Sequence, residues 1–184
     1  MATPTFIRAV SWVPERRSNA RFLRRATGGA IVWDACHSGA ETLHTALRIA
    51  AGGPAIHLED DVALTTNWRD KVEAVVAAHP DVVCQFFSIR KADTEVGSRW
   101  DREWINSPCF YVPERLSTDL AAYMPRWQAT TEKPGLWDIG IGQFLRDRRE
   151  RYWLSCPSLV DHLPWESADR PGRRLHRHPP TFEP

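Results

Sequence analysis

Apolar positions along the chain alternate between short runs bounded by turn residues and longer stretches with helical spacing, a pattern that predicts an α/β fold. Strands are expected at residues 6–12, 30–33, 54–58, 82–88, 109–112 and 152–155. A short helix is expected over 19–26, closed by Gly28-Gly29. A second follows Ser38-Gly39-Ala40-Glu41, which has the form of a capping box. It places Leu43, Ala46, Leu47 and Ala50 on one face and ends at Gly52-Gly53. Further helices are expected over 67–78, stopped by Pro80, over 113–123, and over 137–148, with loops at 90–102 and 125–135. The expected architecture is a single domain over residues 1–166, a mostly parallel central sheet flanked by helices. A Pro/Arg-rich tail over 167–184 follows it.

Composition narrows this picture. A length of 184 residues suits one compact domain, and 42% hydrophobic with 26% charged residues excludes a disordered or fibrous chain. Lys+Arg 24 against Asp+Glu 23 argues against a generally polybasic protein. Only Lys71, Lys91 and Lys133 are lysines; the arginine excess fits either a GC-rich genome or phosphate handling. The four cysteines (Cys36, Cys84, Cys109 and Cys156) contain no CxxC pair, so no zinc knuckle, thioredoxin motif or disulfide framework is expected. The first residues lack the form of a signal peptide and no apolar stretch reaches the length of a membrane span, so a cytoplasmic protein is expected.

The densest chemical signal is His57-Leu58-Glu59-Asp60-Asp61-Val62. Three consecutive carboxylates at the end of an apolar strand repel one another and lose hydration, so they need a cation or a set of donors. Mn2+ and Mg2+ take oxygen ligands and bridge carboxylates to phosphates. The carboxyl ends of strands in open α/β sheets are also where ligands collect. A solvated acidic turn leading into the next helix is the alternative.

An apolar strand ending in Leu58-Glu59-Asp60-Asp61-Val62 resembles the acidic motif of nucleotide-sugar-dependent glycosyltransferases of GT-A fold, in the lipooligosaccharide-type and phage-type form that begins with Glu. Other segments follow in the same order: the helix from Glu41, the strand Asn106-Ser107-Pro108-Cys109-Phe110-Tyr111, the turn Gly135-Leu136-Trp137-Asp138, and Pro157-Ser158-Leu159-Val160-Asp161-His162. The resemblance spans residues 6–162. It implies a nucleotide-sugar donor, a hydroxyl acceptor and a divalent metal, Mn2+ or Mg2+.

It further implies Asp61 as direct metal ligand, Glu59 toward the ribose or a metal-bound water, and Asp60 in support. His162 is a further ligand or a diphosphate contact, or else an ordinary loop histidine. Asp34 follows the second strand, where such enzymes read the nucleobase. Arg16 and Arg17, in the expected loop after the first strand, meet base or phosphates or are solvated. Thr42 and His44 lie on the helix that approaches the nucleotide. Asp138, at a helix N-terminus, is the expected general base; a plain capping role is the alternative. With Asp138 on one side and the acidic triplet on the other, an inverting transfer is expected.

Nine tryptophans include Trp100, Trp104 and Trp137 in or beside the proposed acceptor-side loops, where an indole can stack on a sugar or base. The basic stretches 146–151 and 170–178 would suit an anionic acceptor, or are a solvated face and tail. The acceptor candidates are a hydroxylated base in phage DNA and a saccharide or small metabolite. Two other readings compete. A metal-dependent phosphoesterase would use the same acids and His162 to activate water, and predicts an HxH or HD pair at a strand end, where this sequence has the reversed Asp161-His162. A non-catalytic nucleic-acid-binding module would bind without divalent metal and weaken steeply with salt.

Overall fold

The computed structural model of the chain describes residues 3–167, 172 and 176–184. The arginine-rich part of the tail at 170–171 and 173–175 therefore lies outside the described residues. The elements in order are β1 (Thr5–Ala9), α1 (Pro14–Thr27), β2 (Ala30–Trp33), α2 (Gly39–Ile49), β3 (Ala55–Glu59), β4 (Val62–Leu64), α3 (Trp68–Ala78) and β5 (Cys84–Gln85). They continue with α4 (Asp93–Val96), β6 (Arg99–Asp101), β7 (Cys109–Val112), α5 (Glu114–Thr130), α6 (Trp137–Asp147), β8 (Tyr152–Leu154) and β9 (Val160–His162).

Seven strands form one sheet in the order β2-β1-β3-β7-β5-β8-β6, and β4 pairs with β9 in a separate two-stranded sheet. β1 runs parallel to β2 and β3, and β5 parallel to β8; β7 and β6 are antiparallel to their neighbours. Five strands thus share one direction. Every residue of β1 is buried, as expected of a strand covered on both faces. Successive side chains supply the two cores in turn: Phe6 packs with Leu43, Leu47, Leu120 and Phe144 from α2, α5 and α6, whereas Ile7 packs with Ala20, Leu23, Trp68 and Val72 from α1 and α3.

Two helices extend beyond their expected limits, each for an identifiable reason. α1 starts at Pro14, with proline in its first turn and Glu15 beside it, so Arg16 and Arg17 are helical rather than in a loop. Its inward stripe is Arg16, Ala20, Leu23 and Thr27, and a stripe that opens with arginine does not register as apolar. α5 continues through Pro125 to Thr130, past the expected end at 123. A proline lacks the N–H that would bond the carbonyl four residues earlier, here Ala121. The Ala121 oxygen instead lies 2.6 Å from His44 Nδ1 on α2, and because a carbonyl can only accept, that nitrogen is the donor. β6 arises within the expected loop 90–102, and β4 and β9 in segments for which no element was expected. Each is three residues long and is held by a partner distant in sequence.

Candidate active site

β1 and β3 lie side by side with Arg8 opposite Glu59, so the end of the parallel strands carries both charges in register. Arg8 is 1% exposed. Its Nη2 and Nε donate to Asp34 Oδ2 at 2.7 and 3.1 Å, and its Nη1 donates to Glu59 Oε1 at 3.2 Å. The guanidinium also lies 5.6 Å from the centre of the Trp137 ring, at the start of α6. An arginine inside the otherwise apolar run Phe6-Ile7-Arg8-Ala9-Val10 was the available sequence signal for this residue.

Asp34, buried just after β2, spends its other oxygen on the backbone: Oδ1 accepts from Cys36 N–H at 3.2 Å and Ser38 N–H at 2.9 Å. Burial opposes its ionisation, but Arg8 and these donors hold its carboxyl below the usual range. Both oxygens are thus engaged within the fold, and Asp34 fixes Arg8 and the turn that leads to the Ser38 cap of α2. Above that turn, Trp12 stacks on His37 with ring centroids 3.8 Å apart, joining the loops that follow β1 and β2.

The acidic triplet divides by direction. Asp60 is fully buried: its Oδ2 accepts from Val10 N–H at 2.7 Å and its Oδ1 from Arg16 Nε at 2.7 Å. α1 holds this turn a second time through Asn19, whose Nδ2 donates to the carbonyls of Asp60 and Val62 at 2.9 and 2.8 Å. Arg16 also reaches Asp61, with Nη1 2.8 Å from Oδ2. Burial disfavours the charge on Arg16, yet Asp61, Asp60 and Glu59 outweigh it and raise its pKa. Burial likewise acts against the Asp61 anion, but Arg16, His162 and Arg8 hold that carboxyl low.

His162 approaches from β9, which β4 brings alongside: Val62 pairs with His162 immediately after the acidic turn. Its Nε2 is 3.5 Å from Asp61 Oδ2. Glu59, Asp61 and His162 each present a ligand atom, and these lie within 4.8 Å of one another. Asp61 Oδ1 and His162 Nδ1 are buried without a hydrogen-bond partner. Two carboxylates and an imidazole, with buried acceptor capacity unspent, fit a divalent cation such as Mn2+ or Mg2+. Under the site, β3 contributes His57, packed between Phe110 and Trp137. Burial, and then the charge of Arg8, push its pKa down to about 3 and keep the ring neutral.

The remaining expected residues fall in different places. Asp138 is half-buried in the first turn of α6, beside the Trp137 that faces Arg8. Arg17 is exposed on α1, next to Arg16 in sequence but turned away from its inward stripe. Thr42 returns its hydroxyl to Ser38 O at 2.8 Å within α2. His44, expected near the nucleotide, bonds the Ala121 carbonyl of α5, which Pro125 leaves without its helical N–H donor. Of the three tryptophans expected on the acceptor side, Trp104 and Trp137 are buried, and Trp100 lies exposed on edge strand β6 beneath Arg151. Within 146–151, Arg148 pairs with Asp119.

No protein-family profile matches this sequence, and no curated protein matches it. Solved structures do. The chain is similar over its whole length to A197 from STIV, with 16% identity, 98% of that chain covered and a TM-score of 0.58. It is also similar to a glycosyltransferase involved in the glycosylation of the major capsid of PBCV-1, with 12% identity, 90% of this chain and 95% of that one covered, and a TM-score of 0.52. No helix among the described residues is long and apolar enough to cross a membrane. At these identities the likeness is one of fold: the chain has the α/β, GT-A-like architecture on which glycosyltransferases are built.

Proposed function

We propose that the protein is a metal-dependent glycosyltransferase that moves a sugar from a nucleoside-diphosphate donor to a hydroxyl acceptor, with inversion. The observation that carries this reading is the convergence of Glu59, Asp61 and His162 at the end of the parallel strands, with one buried Asp61 oxygen unpartnered. The fold shared with a glycosyltransferase supports it. Glu59, Asp61 and His162 would hold Mn2+ or Mg2+, which supplies positive charge toward the departing diphosphate. Arg16 and Asn19 hold the acidic turn in shape, and Arg8 fixes Glu59. The Trp12–His37 stack at the mouth of the two loops suits a nucleobase.

Asp138 takes the acceptor proton. As the hydroxyl oxygen bonds to the anomeric carbon, the bond from that carbon to the diphosphate oxygen breaks and its electron pair leaves with the diphosphate. A saccharide and a hydroxylated base in DNA are the acceptors to test. Buried carboxylates that converge on a cation site favour this reading over a nucleic-acid-binding module, which would need neither acids nor metal.

Titration of UDP-, GDP-, ADP- and CDP-sugars with and without Mn2+ tests the donor side. One of them should bind in a metal-dependent way, and Asp61→Asn should abolish both that binding and transfer while the fold is retained. Metal-independent binding, or wild-type transfer by Asp61→Asn, would refute the assignment. Asp138→Asn should leave donor affinity unchanged and slow transfer by roughly 10²–10⁴, the usual reach of a general base. If Asp138 only caps α6, asparagine replaces it with little effect on rate.

A further inference from the structure

We propose that Asp161, His176 and His178 form a second metal site, for a zinc-type transition-metal cation, on the side of β9 opposite the candidate active site. It is independent of the sugar-transfer reading. Successive residues of a strand face opposite ways, so where His162 turns toward Asp61, Asp161 turns outward. The tail returns to this outer side through an antiparallel bridge between His162 and Arg177. The residues flanking Arg177 then share the Asp161 face, and both are histidines.

The geometry is that of a partly assembled ligand set. His178 Nδ1 lies 3.0 Å and His176 Nε2 3.9 Å from Asp161 Oδ2, and one ligand atom from each residue lies within 4.8 Å of the others. The rings themselves are 5.6 Å apart. Asp161 Oδ1 is buried without a hydrogen-bond partner, a costly state that a cation or its bound water relieves. The histidine side chains are about half exposed, at 49% and 53%, so a cation can enter from solvent and keep water in its open positions. Two imidazoles and one carboxylate suit Zn2+, whereas a set dominated by carboxylate oxygens suits Mg2+ or Mn2+.

The consequence is a tether. The tail already meets the body where Ser158 N–H donates to Thr181 Oγ1 at 3.0 Å and Thr65 Oγ1 donates to Glu183 O at 2.6 Å. A cation bound by one β9 residue and two tail residues would fix the tail to the strand that carries His162. It would thereby hold that histidine in place for the cluster on the other side.

Calorimetric titration of the full chain with Zn2+ tests this. The wild type should bind an equivalent of zinc that His176→Ala/His178→Ala loses or binds at least about tenfold more weakly, and that Asp61→Asn retains. In the Asp61→Asn background, which removes the candidate active-site ligand, zinc should raise the melting temperature, and it should not do so once His176 and His178 are also alanine. With Co2+ as probe in that same background, ligand-field bands of a four-coordinate site should appear and should vanish when the two histidines are replaced. The double variant should melt like the wild type in chelator, since both rings are exposed. Zinc binding of equal stoichiometry and affinity in the wild type and the double variant would overturn the proposal. So would loss of all zinc binding in Asp61→Asn alone.

Discussion

Two buried arginines reach the carboxyl ends of the central strands, and the acids around them are satisfied to different degrees. Arg8 meets Asp34, whose two oxygens are filled by the guanidinium and two backbone N–H groups. Arg16 meets Asp60, which is filled in the same way by Val10 N–H, and also Asp61, which keeps one buried oxygen without a donor. The Arg8–Asp34 pair is closed and behaves as a structural joint between β1 and the β2–α2 turn, while the same guanidinium also reaches Glu59 of the open cluster. The Arg16 centre has every element of such a joint except the last donor. A buried carboxylate is retained when its charge is matched, and the unmatched oxygen beside two more ligand atoms is where the proposed cation would complete the set.

Arg8→Met and Arg16→Met break the comparison most strongly. Each leaves buried carboxylates uncompensated, and each should cost about 3–5 kcal/mol in urea unfolding. Saturating Mn2+ should recover more of the loss in Arg16→Met than in Arg8→Met, because the ion can replace the lost positive charge beside Asp61 and Glu59 but not beside Asp34. Equal recovery in both, or none in either, would remove the distinction between a closed and an open centre.

His44→Ala should have a smaller effect, on the order of 1–3 kcal/mol, by leaving the Ala121 carbonyl without a donor. Donor binding should not change. Pro125→Ala in the same background restores a backbone N–H to that carbonyl and should recover part of the loss; strict additivity of the two substitutions would show that the carbonyl does not link them. Arg17→Ala should do least, shifting stability by no more than about 0.5 kcal/mol and leaving metal-dependent nucleotide binding intact. A large effect there would show that the exposed neighbour of Arg16 serves the site after all.

Much of the sheet was legible because β1, β2, β3 and β7 are apolar runs that local turn residues delimit, and α2 carries a capping box whose Ser38 side chain does accept from Glu41 N–H at 3.1 Å. The acidic triplet stood out for the same local reason: three adjacent like charges after a buried strand are costly wherever they occur. Arg8 gives little signal in the sequence because its neighbours are apolar and its partners, Asp34 and Glu59, are far from it along the chain. Arg16 reads as a loop residue because a charged residue that points inward contradicts the amphipathic pattern, and only the carboxylates on another element explain its position.

The amino-acid sequence by itself determined the layer class, the order of the main elements and the location of the acidic cluster, since each depends on the spacing of residues close together along the chain. Tertiary structure alone decided that Glu59 and Asp61 gather with His162 while Asp60 turns to Val10 and Arg16, that His162 joins Asp61 through the β4–β9 pair, and that His44 bonds α5. Those outcomes depend on which donors and acceptors are brought together from distant segments. Hydrogen bonds and ion pairs are decided at about 3 Å in space, and residue spacing along one segment does not encode a partner contributed by another.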